Sequence, residues 1–221
     1  MNLRLSDFKL IILALAVILG FALKGQRAEA AETQILTVAG GCFWCVEADF
    51  EKVRGVSEVI SGYTGGTTAN PTYREVTRGG SGHYEAVQIL FDPAQISRAQ
   101  LLDLFLRSVD PTDAGGQFCD RGESYRTAIF VSDPAEQALA QSAIAAAQAA
   151  LGQRIVTPVL AAAPFYKAED YHQDYYKGQN RVITRFGAIS QAEAYKRYRE
   201  GCGRDARVRQ LWGDQAPFIG G

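Results

Sequence analysis

The sequence lacks a large charge of either sign: its formal net charge is −1 over 221 residues. A nucleic-acid binder carries a basic excess, so that class is excluded. Long apolar runs are also scarce. The longest, residues 10–23, has fourteen residues with Gly20 inside it, short of the roughly 20 that span a bilayer. Histidine is represented only by His83 and His172, and the one close cysteine pair is Cys42 and Cys45. A zinc site would have to draw on those four residues, and their spacing does not match the paired ligands of structural zinc sites. There is no internal repeat, and no low-complexity tract beyond an alanine-rich stretch at residues 134–151.

What is present suits one domain, or at most two, with ample material for a core: 47% of residues are hydrophobic. The first thirty residues belong to a different object. Arg4 and Lys9 form a short basic region, residues 10–23 an apolar one, and Ala28-Glu29-Ala30 has the small-x-small form of a cleavage site. That order is a secretory signal peptide, with an uncleaved membrane anchor as the alternative. The expected organisation is a signal peptide at 1–30, a catalytic domain at 31–200 and a glycine- and cysteine-bearing tail at 201–221, in a protein that is exported to the periplasm and leaves the membrane after cleavage. An exported chain with four cysteines invites a disulfide framework. This chain is large enough to fold without staples, and its cysteines sit in turns and loops, so redox-active thiols are the better reading.

The stretch around which the chain is organised is Gly40-Gly41-Cys42-Phe43-Trp44-Cys45-Val46-Glu47. An apolar run at 35–39 reads as a buried strand. Phe43, Val46, Phe50 and Val53 recur at helical spacing after it. Two glycines make the turn, so Cys42 stands at a helix N-terminus. Unpaired amides and the helix dipole favour an anion there, which predicts a Cys42 thiol shifted toward thiolate. Cys42 is therefore a candidate nucleophile.

Farther along, residues 56–63 read as a strand and 72–77 as a short helix after Asn70-Pro71. Residues 83–91 read as a strand with two faces. Glu85 falls on the face of Val87, Ile89 and Phe91, which is unusual for a carboxylate unless the strand end is solvated. Ser97 is placed to cap a helix to Val109, and Asp133-Pro134 opens another that Gly152 closes. Residues 125–131 and 155–161 read as strands, the second at an edge because of Pro158. A late helix is expected at 190–199, followed by a tail with little periodicity that wraps the surface loosely. Strands alternating with helices, some in hairpin-like succession, predict an α/β fold of the α+β kind, with a mixed sheet and helices packed on it.

Six segments occur in one order: Gly41-Cys42-Phe43-Trp44, Gly62-Tyr63-Thr64-Gly65-Gly66, residues 70–76 (NPTYREV), residues 82–87 (GHYEAV), residues 120–126 (DRGESYR) and residues 164–173 (PFYKAEDYHQ). Together they resemble the peptide methionine sulfoxide reductases of the A type, over residues 36–179. The resemblance implies a two-layer, ferredoxin-like sandwich with the site open at one end. It implies reduction of the S epimer of methionine sulfoxide, free or in proteins, without a cofactor. The chemistry fits the residues independently. A sulfoxide needs a nucleophile on sulfur, which Cys42 supplies, and a proton on oxygen, which Glu85 supplies if burial raises its pKa. The resemblance assigns Tyr73, Tyr125 and Asp120 to the sulfoxide oxygen, and Phe43 and Trp44 to an aromatic wall for the substrate methyl group. Taken alone, either tyrosine reads better as core packing with a satisfied hydroxyl.

Attack leaves a sulfenic acid on Cys42, which a second thiol converts to a disulfide. The resemblance places that thiol at Cys202, in Gly201-Cys202-Gly203, with Cys45 and Cys119 as open alternatives. It also implies a thioredoxin-like protein as reductant and a monomer. The rival enzyme is a thioredoxin-like oxidoreductase using Cys42 and Cys45, which leaves residues 82–87, Tyr73 and Asp120 unexplained.

Overall fold

A computed structural model describes residues 32–185 and 187–220. The signal peptide expected at 1–30 lies outside these residues. In chain order the elements are β1 (Gln34–Gly40), α1 (Phe43–Phe50), β2 (Val56–Thr64), α2 (Tyr73–Arg78), β3 (Tyr84–Phe91), α3 (Arg98–Ser108), β4 (Gly116–Gln117), β5 (Asp120–Arg121), β6 (Thr127–Val131), α4 (Pro134–Leu151), β7 (Val159–Ala161), β8 (Tyr166–Lys167), β9 (Arg181–Thr184), β10 (Gly187–Ser190), α5 (Gln191–Gly201) and α6 (Arg204–Trp212). Among the described residues no helix is long and apolar enough to cross a membrane.

The main sheet runs β7-β6-β1-β3-β2-β8. β6 and β7 pair parallel while the other pairs are antiparallel, so the sheet is mixed, as expected. Its central order, β6-β1-β3-β2, with α1 leaving β1 and α3 leaving β3, is the split βαβ arrangement of ferredoxin-like folds. β7 is an edge strand, which is where Pro158 directed it.

Register decides which side chains meet the helices. Leu36 lies opposite Ile89 and Val38 opposite Val87; on the other flank of β3, Val59 lies opposite Ile89 and Tyr63 opposite Glu85. This face packs on Phe43, Val46 and Phe50 of α1 and on Leu101, Leu102, Phe105 and Leu106 of α3, forming the main core. The opposite face carries a smaller cluster of Ala39, Tyr84, Ala86, Ala128 and Phe130. The helix starts follow their caps: Ser97 and Thr72 form reciprocal capping boxes, and Asp133 caps α4, whose end is turned by Gly152 in left-handed conformation.

The C-terminal stretch departs from expectation. Residues 201–220 are not a loose wrap. α6 and a 3-10 turn occupy much of them, with Arg204, Val208 and Trp212 buried against the body. Low hydropathy hid this helix. Its buried anchor is an arginine whose guanidinium donates to Ser108 O at 2.9 Å and stacks on Phe118.

Candidate active site

β1 ends in Gly40 and Gly41, and α1 starts one residue later. Gly41 has φ +81°, and a Cβ there would lie 2.5 Å from the Gln117 Cβ. Only glycine permits both the left-handed turn and the close pass of the β4–β5 hairpin. Cys42, the N-cap of α1, is thereby aimed into a cavity of about 50 Å³ with Phe43, Trp44, Tyr73, Glu85, Asp120, Tyr125 and Tyr198. Every catalytic and substrate-wall residue expected from the sequence is in that set except Cys202. His83 and His172 do not join the thiols. His83 accepts from Gly66 N and shares a hydrogen bond with Thr68 O, while His172 Nδ1 accepts from the Trp44 indole at 3.2 Å.

Glu85 is 1% exposed, so its place on the apolar face is real burial. Its Oε2 accepts the Phe43 N–H at 3.1 Å, and Oε1 has no partner among the described residues. Desolvation raises its pKa to about 8; the Phe43 amide opposes that shift, and the Asp120 charge adds to it. The carboxyl is therefore protonated at neutral pH. Tyr73 is presented by the Thr72-capped α2, whose first amide donates to Glu169 Oε1 at 2.9 Å. Tyr73 and Tyr125 line the same cavity, and burial holds both phenols well above their usual range, hence neutral.

The Cys42 thiol corrects the sequence reading. Burial pushes Cys42 well above its ordinary pKa, and the neighbouring Cys45 thiol adds to that. The helix-end amide expected to serve a Cys42 thiolate is committed to Glu85. Cys202 is bonded to Cys119, not to Cys42, with the two Cα atoms 4.9 Å apart, while Cys42 and Cys45 are free. The disulfide lines a second cavity of about 470 Å³, shared with Trp44, Tyr175 and Tyr198. Trp44 and Tyr198 line both spaces.

Three neighbours of the site were given no place in it by the sequence reading. Tyr198 of α5 donates a hydrogen bond to Asp120 Oδ2. Tyr175 stacks on Trp44 at 3.8 Å and 7°. His172, held neutral by burial with a pKa near 4, orients the indole. Tyr198 lies on the late helix expected at 190–199; in the structure α5 runs on to Gly201 with Cys202 as its C-cap, one turn after Tyr198.

Residues 34–204 match the family described as Peptide methionine sulfoxide reductase. The chain belongs to the peptide methionine sulfoxide reductase family. Among curated relatives, the peptide methionine sulfoxide reductase MsrA 2 of Rhizobium meliloti is 49% identical, over 86% of this chain and 88% of its own. The MsrA 2 of Caulobacter vibrioides is 47% identical over 93% and 98%. Of solved structures, methionine sulfoxide reductase A of Corynebacterium diphtheriae matches with TM-score 0.60 and 31% identity, covering 68% of this chain and 76% of that one. Mxr1 of Saccharomyces cerevisiae in reduced form gives 0.64 and 27%, over 73% and 94%. A buried acid, two neutral tyrosines and a thiol share one small cavity. A thioredoxin-like oxidoreductase has no use for the first three.

Proposed function

We propose that this reductase converts the S epimer of methionine sulfoxide, free or in proteins, to methionine, with Cys42 as nucleophile and Glu85 as acid. The observation that carries the assignment is the unpartnered Glu85 Oε1 in the cavity of the Cys42 thiol. A buried polar atom without a partner costs about 1–3 kcal/mol, and a sulfoxide oxygen would supply one. Cys42 attacks sulfur, Glu85 protonates the oxygen, and that oxygen passes to Cys42 as sulfenic acid while methionine leaves. Tyr73 and Tyr125, kept neutral, donate toward the oxygen; Phe43 and Trp44 enclose the methyl group.

Cys202 then expels water from the sulfenic acid, forming a Cys42–Cys202 disulfide. Cys119 displaces Cys42 from Cys202, which frees Cys42 and yields the bond seen here. A thioredoxin-like dithiol reduces that bond by two exchanges and becomes a disulfide itself. No cofactor enters, and one monomer carries every residue named. The test is product analysis with both sulfoxide epimers and a dithiol. Methionine is expected from the S epimer alone; insulin reduction without sulfoxide consumption would transfer the protein to the rival reading.

We also infer export with cleavage after Ala30, from the order of basic, apolar and Ala28-Glu29-Ala30 segments. Terminal sequencing of the native protein should begin at or near Ala31. Intact Met1 on protein from the cytoplasmic fraction would reject this.

A further inference from the structure

Cys45 is a second buried thiol that the reaction above leaves unused. It is 2% exposed and stands on the first turn of α1, its N–H donating to Cys42 O at 3.1 Å. It belongs to the same buried cluster as Cys42. Ala48, Tyr175 and Tyr195 pack around the pair.

The charges on its two sides differ. Arg199 of α5 and Arg204 of α6 approach from the body, with side chains 6% and 2% exposed. They share one deep carboxylate, Asp49, one turn farther along α1. Asp49 Oδ1 lies 2.7 Å from Arg199, and Asp49 Oδ2 and Arg204 Nε, 3.8 Å apart, lack hydrogen-bond partners among the described residues. Asp205, which also pairs with Arg199, is more exposed. Facing Cys42 instead are Glu85 of β3, Asp120 of β5 and Tyr198 of α5. A negative charge on this thiol pair is therefore better placed on Cys45, on the side of two guanidinium groups, than on Cys42, which faces the Asp120 carboxyl and the neutral Glu85.

We propose that Cys45 is a catalytic residue of this enzyme: in the reduced protein it holds the thiolate of the pair and takes the Cys42 proton as Cys42 attacks. This rests on Cys42 being the nucleophile. The step balances. The Cys42 S–H proton goes to Cys45, the Glu85 proton goes to the sulfoxide oxygen, the sulfoxide sulfur is reduced by two electrons, and the Cys42 sulfur is oxidised by two. Return of a proton from Cys45 to Glu85 restores both. The directions of the two thiol shifts agree: Cys45 is lowered, first by the neighbouring Cys42 thiol and then by Arg204 and Arg199, while Cys42 is raised. A nucleophile kept as thiol is slow toward stray oxidants until a sulfoxide arrives, because the thiolate is the reactive form.

The test uses full-length Cys119→Ser/Cys202→Ser protein, in which only Cys42 and Cys45 titrate, read by thiolate absorbance and single-turnover sulfoxide reduction. One thiolate is expected to form below the ordinary thiol pKa of about 8.5. It should persist in an added Cys42→Ser and vanish in an added Cys45→Ser. The Cys45→Ser protein should turn over at least about tenfold more slowly at pH 7 and recover as pH rises, as loss of a base requires. Recovery would also show that the variant is folded. A thiolate lost with Cys42→Ser, or a Cys45→Ser rate profile unchanged in pH, overturns the proposal. Should Cys45→Ser not fold, the Cys42→Ser titration decides alone. Because that titration uses no substrate, its failure is distinct from failure of the sulfoxide reading, which the Cys42→Ser turnover reports.

Discussion

Glu85→Gln is expected to fold, to bind sulfoxide normally and to lose about 10²–10⁴ of the single-turnover rate, the usual worth of a positioned acid. Gln keeps the volume and an oxygen for the Phe43 amide, held at 3.1 Å in the native protein, and removes only the acidic proton. The pH dependence follows from the same burial. With a folded pKa of about 8 against an ordinary 4.5, the carboxyl is a proton donor at neutrality, and the wild-type rate should fall as pH rises through about 8. The Gln variant should lack that limb. Stability changes in the same window. The folded state keeps a proton that the unfolded chain releases, so wild-type stability is full below about pH 4.5 and declines toward pH 8. The total is of the order of 5 kcal/mol. Gln does not titrate, so its denaturation midpoint should vary less between pH 5 and 9 and exceed wild type at the alkaline end. A Gln variant with near-native single-turnover rate would take Glu85 out of the mechanism.

Cys119→Ser is expected to leave the first turnover intact and to stop recycling by a protein dithiol. The bond seen here joins Cys119, which is exposed, to Cys202, which is half-buried, so an incoming thiolate reaches Cys119 first. Without Cys119 the oxidised protein should accumulate a Cys42–Cys202 bond, readable by mass spectrometry after alkylation. Steady-state turnover with a thioredoxin-like reductant should fall by about 10² or more, the scale lost when an intramolecular step becomes a bimolecular one. Cys202→Ser should instead trap sulfenic acid on Cys42, and Cys42→Ser should abolish sulfoxide consumption altogether. If Cys119→Ser recycles normally while Cys45→Ser does not, the oxidising equivalents leave through Cys45 and the order proposed here fails.

Much of the frame is local and was legible. The alternation in β3, the caps at Ser97 and Asp133, the closing Gly152 and the glycine elbow before Cys42 each depend on a few neighbouring residues. The segments that resemble the family were legible for the same reason. Glu85 was half legible: alternation placed it on an apolar face, but whether that strand end was covered depended on Tyr63 opposite and on α1 above.

By itself, the sequence determined most of the strand and helix pattern and placed Cys42 on its elbow, because each is a matter of spacing along the chain. Only the tertiary structure decided where the charge and the disulfide reside. Cys119 and Cys202 are 83 residues apart and meet because α5 packs over the β4–β5 hairpin, where Tyr198 also reaches Asp120. The thiol pair is biased by Arg199 and Arg204, which are more than 150 positions away from Cys45 along the chain. Hydropathy marks an arginine as a surface residue. Buried beside Asp49 it becomes an anchor for the C-terminal helices and a source of field at the active thiols, a role that exists only once the surrounding chain has excluded water.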